Sequence, residues 1–223
     1  MGVFIGVQGG HALGGDPRNV GRLRDRGVLM LAPAHVMDNA LVGSGTGRVR
    51  GGLSGYGREV VAAMHEAGMV VDLAHMSRAG IEQALPLMRA PFALSHGGLV
   101  ELAGRRSRWR RYSAATRNVP ASLAAEVGAA GGLFGVVLAT QLVGGATLGH
   151  AAASVERSLE VAGPGQVAIG SDMDGALRTV IDVEGLPALT GALLERGIPQ
   201  ATVERVIGGN AIELLRAALE PSG

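Results

Sequence analysis

The sequence predicts an α/β protein with a parallel sheet, folded as an incomplete (β/α) barrel. Three observations lead there. Six short apolar runs alternate with amphipathic helical stretches along the chain. Nearly every run ends on a polar residue: Gln8, His35, His75, His96 and Asp172. The chain also carries neither a dinucleotide glycine fingerprint nor a phosphate loop. Polar groups spread over many strand ends suit a barrel better than an open doubly wound sheet. A complete barrel needs about eight such units, and this chain offers six.

The stretch from Met69 to His96 sets the pattern. Met69 to His75 is an apolar run closing on a histidine, and Ala93-Leu94-Ser95-His96 is another. Between them Ser77 to Met88 reads as one helix, capped by Ser77, with Ile81, Ala84, Leu85 and Met88 on one face. Imidazoles on adjacent strand ends can converge on one metal ion. The plainer alternative is two hydrogen-bonded loop histidines.

The remaining elements follow in order. Val3 to Val7 reads as a buried strand, and Gln8-Gly9-Gly10-His11 as its tight strand-end loop. Pro17 to Arg26 is a helix capped by Asp16 and stopped by Gly27. Val28 to Leu31 is a strand leading to His35, and residues 38 to 54 form a long glycine-rich loop. Ser54 caps a helix to Ala67 that turns Val60, Val61 and Met64 to one side. Later come a helix from Ala121 to Ala130, a strand from Gly132 to Val137, a helix from His150 to Ala162 and a strand from Val167 to Gly170. Helices over Leu186 to Arg196 and Pro199 to Ile207 follow, and Asn210 is expected to cap a last helix to Leu219. His11 and His65 read as packing residues, His150 as a helix start, and Asp174 as a turn former after Asp172.

Composition bounds the function. Apolar residues make up 47% of the 223, enough for one sizeable domain over 1–223 and too many for a disordered chain. Cysteine is absent, which excludes disulfides and thiolate metal sites and leaves His, Asp, Glu and Gln as donors. The net charge of +1 argues against nucleic acid as a general partner. Arg105, Arg106, Arg108, Arg110 and Arg111 surround Trp109; a solvated surface loop is the first reading, with RNA or phosphate binding as the alternative. No apolar run approaches a membrane span and no signal peptide is evident, so a cytoplasmic location is expected.

Seven stretches, in order, resemble the membrane (renal) dipeptidase family of the metal-dependent amidohydrolase barrels. They are Gly6-Val7-Gln8-Gly9-Gly10-His11, His35 after its strand, Val71 to Ser77, Leu94-Ser95-His96, Thr116-Arg117-Asn118-Val119-Pro120, Gly170 to Gly175, and Gly208-Gly209-Asn210. The resemblance implies a TIM-type barrel and zinc-dependent hydrolysis of dipeptides. His75 and His96 resemble the two histidines of the second zinc site, and Gln8 stands where the family has a glutamate bridging both zincs. His35 matches a histidine that polarises the scissile carbonyl. Arg117 matches the arginine that takes the dipeptide carboxylate, and Asp172 an aspartate that contacts substrate and shuttles a proton.

Three departures shape the expectation. The His-x-Asp pair of the family's first strand has no counterpart before Gln8, as if the first two βα units were lacking. Gln8 is neutral and cannot balance two divalent charges. The span from His96 to Arg117 is longer than the family's and holds the arginine cluster. The reading is therefore a shortened dipeptidase-like barrel holding at most one zinc. A second chain, as homo-oligomer or partner, is expected over the open barrel edge. The rival reading is a non-catalytic protein that keeps the pocket and binds small molecules or peptides.

Overall fold

The computed structural model describes residues 2–89, 91–103 and 114–219. The cluster from Arg105 to Arg111 lies outside the described residues. One parallel sheet runs in sequential order through β1 (Ile5–Gln8), β2 (Val28–Ala32), β3 (Val70–Asp72), β4 (Phe92–Gly97), β5 (Leu133–Val136) and β6 (Val167–Ile169). Six strands alternating with helices is the expected architecture. Among the described residues β1 and β6 do not pair, so the sheet is not closed. The chain divides into two compact units, residues 1–93 with 214–223, and residues 94–213.

In the first unit β2 is wholly apolar and β3 opens on two valines, as strands covered on both faces require. Val70 and Val71 are fully buried. Helix α1 (Asn19–Asp25) starts later than expected, because the Asp16 carboxylate takes the Arg18 backbone N–H at 2.9 Å and holds the chain in a turn first. Ahead of α2 (Gly55–Glu66), the Ser54 hydroxyl accepts the Gly57 N–H at 2.9 Å, and Val60, Val61 and Met64 are buried as read. Ser77 likewise caps α3 (Arg78–Ala84) through the Gly80 N–H at 2.9 Å. The helix expected to reach Met88 ends at Ala84 and tightens into a 3-10 turn over Leu85–Leu87. Pro86 explains the break: it has no N–H to donate, and its ring crowds the carbonyl one turn back.

The opening strand needs a correction. Val3, Phe4 and Ile5 are 87%, 43% and 53% exposed, not buried. β1 has a strand neighbour on one side only, at the open barrel edge the sequence reading expects, so its apolar residues are not a core strand. His11 sits exposed in a 3-10 turn over Gly10–Leu13. His65 fills the packing role in the last turn of α2. Its burial, and then the charge of Arg89, hold it below the ordinary histidine range, although a backbone hydrogen bond to Leu87 acts the other way.

The second unit contains α4 (Ala114–Arg117), α5 (Ala121–Ala129), α6 (Leu148–Ala162), α7 (Leu186–Glu195) and α8 (Gln200–Glu204); its chain then enters α9 (Asn210–Leu219). Thr147 caps α6 by accepting the His150 N–H. At the sheet, a Cβ on either Gly135 or Gly170 would overlap the Ser95 carbonyl, so β4, β5 and β6 meet at a spacing that only glycine permits.

Asn210 does not cap α9. A five-residue π-helical turn, Arg205–Gly209, carries α8 into α9 without interruption, and Asn210 lies in helical backbone at φ −64 and ψ −39. Its buried amide donates instead to the carbonyls of Pro164 at 2.8 Å and Val167 at 2.7 Å, tying the helix to the start of β6. The glycines and the polar side chain suggest a stop signal in the sequence, but the side chain is used as a clamp. Asn210→Ala strands two carbonyls, at least one of them buried, and is expected to cost about 1–3 kcal/mol. A urea unfolding midpoint equal to the parent's would refute that assignment.

Candidate functional site

A parallel strand delivers its last residue to one end of the sheet, and the predicted groups sit there. In the first unit Gln8 ends β1 with its side chain exposed. His35 follows β2 and is half-buried, while His75 follows β3 and is only 4% exposed. The structure brings these two histidines together: their ring centroids are 4.5 Å apart and the rings meet edge to face at 67°. Asp72 turns inward at the end of β3 and accepts the Ala74 N–H at 2.9 Å, which starts the turn that presents His75.

In the second unit His96 lies within β4 and is buried. Its Nδ1 is 2.8 Å from the Ser95 hydroxyl, and its Nε2 faces Asp172 Oδ1 at 3.8 Å. Arg117, at the end of α4, is 5% exposed and donates from its guanidinium to the His96 carbonyl at 3.2 Å. Its Nε is buried without a hydrogen-bond partner among the described residues. No carboxylate pairs with Arg117 among the described residues either. Asp174 accepts the Ala176 N–H at 2.8 Å and shapes the turn, as read.

Backbone strain marks the same places. Three non-glycine residues among those described hold a left-handed conformation: Arg50, His75 at φ 65 and Asp172 at φ 59. Each such conformation costs on the order of 1–2 kcal/mol and persists only where the surroundings enforce it. Two of the three are strand-end residues of the candidate site.

Sequence reasoning missed Asp38. Its Oδ1 accepts the backbone N–H groups of Ser44 and Arg50 at 2.8 and 3.2 Å, and its Oδ2 those of Arg48 and Val49 at 2.7 and 2.9 Å. Burial acts to raise its pKa, but the N–H groups of Val49, Ser44, Arg48 and Arg50 outweigh it and hold the carboxyl below the usual 3.8. A Cβ at Gly47 would overlap this carboxylate, so the loop is wrapped closely around it. An aspartate in a glycine-rich loop was the available signal.

Each unit thus carries polar groups at or just beyond its strand ends on a parallel sheet, the arrangement of a (β/α)-barrel-like fold. The chain belongs to the membrane dipeptidase family, peptidase family M19, a metallopeptidase family whose pattern matches residues 1–221. It is 29% identical over 226 residues to a dipeptidase of Clonostachys rogersoniana, covering 98% of this chain and 56% of that protein. A dipeptidase of Claviceps purpurea is also 29% identical, over 222 residues, at 96% and 50% coverage. The chain thus spans about half the length of these curated relatives. Its fold is shared with an amidohydrolase from Pseudomonas aeruginosa, with TM-score 0.81, 24% identity, and coverage of 96% of this chain and 71% of that one. A metallopeptidase from Rhodobacter sphaeroides, liganded with a phosphinate mimic of the dipeptide L-Ala-D-Ala, gives TM-score 0.83 at 22% identity and covers 96% and 63%.

The donors do not fit a pair of metal ions. Position 8 holds a neutral amide, and among the described residues no three His, Cys, Asp or Glu side chains gather as a metal group. The separation of His96 Nε2 and Asp172 Oδ1, 3.8 Å, is one that two ligands of a single ion can adopt, at about 2 Å each.

The Asp38 hub has a pH signature. Its folded pKa is depressed, so its contribution is complete above the unfolded value near 3.8 and is lost as pH falls through the folded value. The stability difference between the parent and Asp38→Asn is expected to be constant above about pH 5 and to shrink in more acid solution. Urea titrations at a series of pH values measure it, and a difference that grows on acidification would contradict the assignment.

Proposed function

We propose that this chain carries the dipeptide pocket of its family and hydrolyses dipeptides with zinc, His75 and His96 each serving as a metal ligand and Gln8 as a weak amide donor. The observation that carries the proposal is Arg117, a buried guanidinium with no carboxylate partner among the described residues. A planar fork of donors suits the C-terminal carboxylate of a dipeptide, which it can grip at both oxygens. The family membership supports the same substrate class.

Each residue then has a task. Arg117 anchors the carboxylate, and the His96 carbonyl keeps the guanidinium oriented. His35 donates to the scissile carbonyl as charge develops on its oxygen. Asp172, with Oδ1 beside His96 Nε2, accepts a proton and returns it to the leaving amine. Zinc, when bound, supplies a water of lowered pKa and polarises the carbonyl.

A second reading is a protein that binds the dipeptide without cleaving it. The neutral Gln8 and the lack of a three-donor metal group among the described residues favour it. At β1, exposed Phe4 and Ile5 support association with a second copy of the chain, which Ile5→Asp should disrupt in a sedimentation experiment.

Calorimetry with a dipeptide and with its C-terminal amide tests the pocket. Arg117→Met is expected to weaken the dipeptide at least about tenfold, the worth of a charged hydrogen bond, and to leave the amide unchanged. Equal losses for both ligands would remove Arg117 from carboxylate recognition. Elemental analysis beside a hydrolysis assay separates the two readings. About one zinc per chain with turnover supports the enzyme, binding without turnover supports the pocket alone, and two zincs would overturn the account of Gln8.

A further inference from the structure

We propose that Asp38 is a positioning residue, the hub through which one loop sets the backbone of both His35 and His75. It acts through backbone N–H groups, and its only sequence signal is an aspartate at the start of a glycine-rich loop. The inference extends the function proposed above, since it concerns the histidines that reading uses.

The chain of contacts is continuous and lies wholly in the first unit. The Asp38 carboxylate fixes the Ser44 N–H at 2.8 Å from one side and the N–H groups of Arg48, Val49 and Arg50 from the other. The loop is thereby held at Ser44 and at 48–50, with a turn closed by the Gly47 N–H on the Ser44 carbonyl at 3.0 Å between them, and the stretch Gly43-Ser44-Gly45 is fixed in place. That stretch does two things. The buried Ser44 hydroxyl donates to the His35 carbonyl, and Thr46 Oγ1 donates to the Val36 carbonyl at 2.7 Å. On the opposite side the Gly45 N–H donates to the His75 carbonyl at 2.9 Å, and the Gly43 carbonyl accepts the Ser77 N–H at 2.7 Å. Ser44 and Met76 consequently pair as an isolated antiparallel bridge.

One rigid splint therefore grips the peptide units of His35 and His75. This matters most at His75, whose φ of 65 is unfavourable without outside support. The grip on both sides also accounts for the edge-to-face contact of the two rings at 4.5 Å. Burial of a carboxylate is costly unless it accepts several hydrogen bonds. Four backbone donors hold this partly buried carboxylate and convert one charge into the geometry of thirteen residues, 38–50. Losing the charge releases the splint, and both imidazoles gain freedom at once. Outer groups of this kind typically alter ligand affinity by about 10–100-fold.

The test uses the whole chain, without metal and then with zinc. Histidine ring signals are followed by long-range proton–nitrogen NMR in the parent, Asp38→Ala, Asp38→Asn and Ser44→Ala. Asp38→Ala should move and broaden the His35 and His75 signals while those of the exposed His11 and His150 stay fixed. Ser44→Ala should move His35 first, because it removes only the hydroxyl contact. Asn210→Ala, placed elsewhere, serves as a control that lowers stability without moving those rings. In calorimetry, zinc should bind at least about tenfold more weakly to Asp38→Ala than to the parent. If Asp38→Ala fails to fold, Asp38→Asn and Ser44→Ala decide: unchanged His35 and His75 signals in both overturn the proposal. Unchanged signals in a folded Asp38→Ala do the same. A parent chain that binds no zinc defeats the functional reading alone, and the ring signals still judge Asp38.

Discussion

Parallel pairing is the constraint on which the rest depends. It aligns every strand in one direction, so each hands its next residue to the same end of the sheet. Gln8 closes β1, His96 lies one residue before the end of β4, and His35, His75 and Asp172 follow three residues beyond β2, β3 and β6. What distinguishes His75 and Asp172 is that the chain turns at them through left-handed backbone, where a glycine would be the easier choice. The energy stored at those turns is supplied by surrounding hydrogen bonds, the loop around Asp38 being the clearest case.

The elements were legible where a local rule decides them. Ser54 and Ser77 cap helices because a hydroxyl one residue ahead of an apolar stripe has an N–H to accept, and the structure uses both in that way. The strand before His75 was readable from the apolar residues Met69, Val70 and Val71 that open it. Of the candidate site, the sequence named Gln8, His35, His75, His96 and Asp172 and paired His75 with His96, while the contact of His35 with His75 and the approach of Asp172 to His96 depend on tertiary geometry.

The misreadings share one cause, which is that identical residues do different work in different surroundings. Val3, Phe4 and Ile5 have the composition of a core strand and are exposed because no neighbouring strand covers them among the described residues. Asn210 follows two glycines, a pattern that signals a helix boundary, yet the backbone passes through a π turn and frees its amide to hold β6. Leu85 and Met88 kept the helical spacing of α3, but Pro86 between them outweighed the periodicity. Asp38 gave little warning because its partners are backbone N–H groups, which have no identity in the sequence.

The contact of Gly135 and Gly170 with the Ser95 carbonyl carries a consequence for the history of the chain. No side chain, however small, fits at either position, so alanine is as excluded as tryptophan. A single mutational step at one cannot be rescued by shrinking a neighbour, since the obstacle is main-chain oxygen. Variation that does reach these positions must arrive together with a shift in strand register, which makes them a sensitive marker of whether a distant relative keeps this sheet or has rebuilt it.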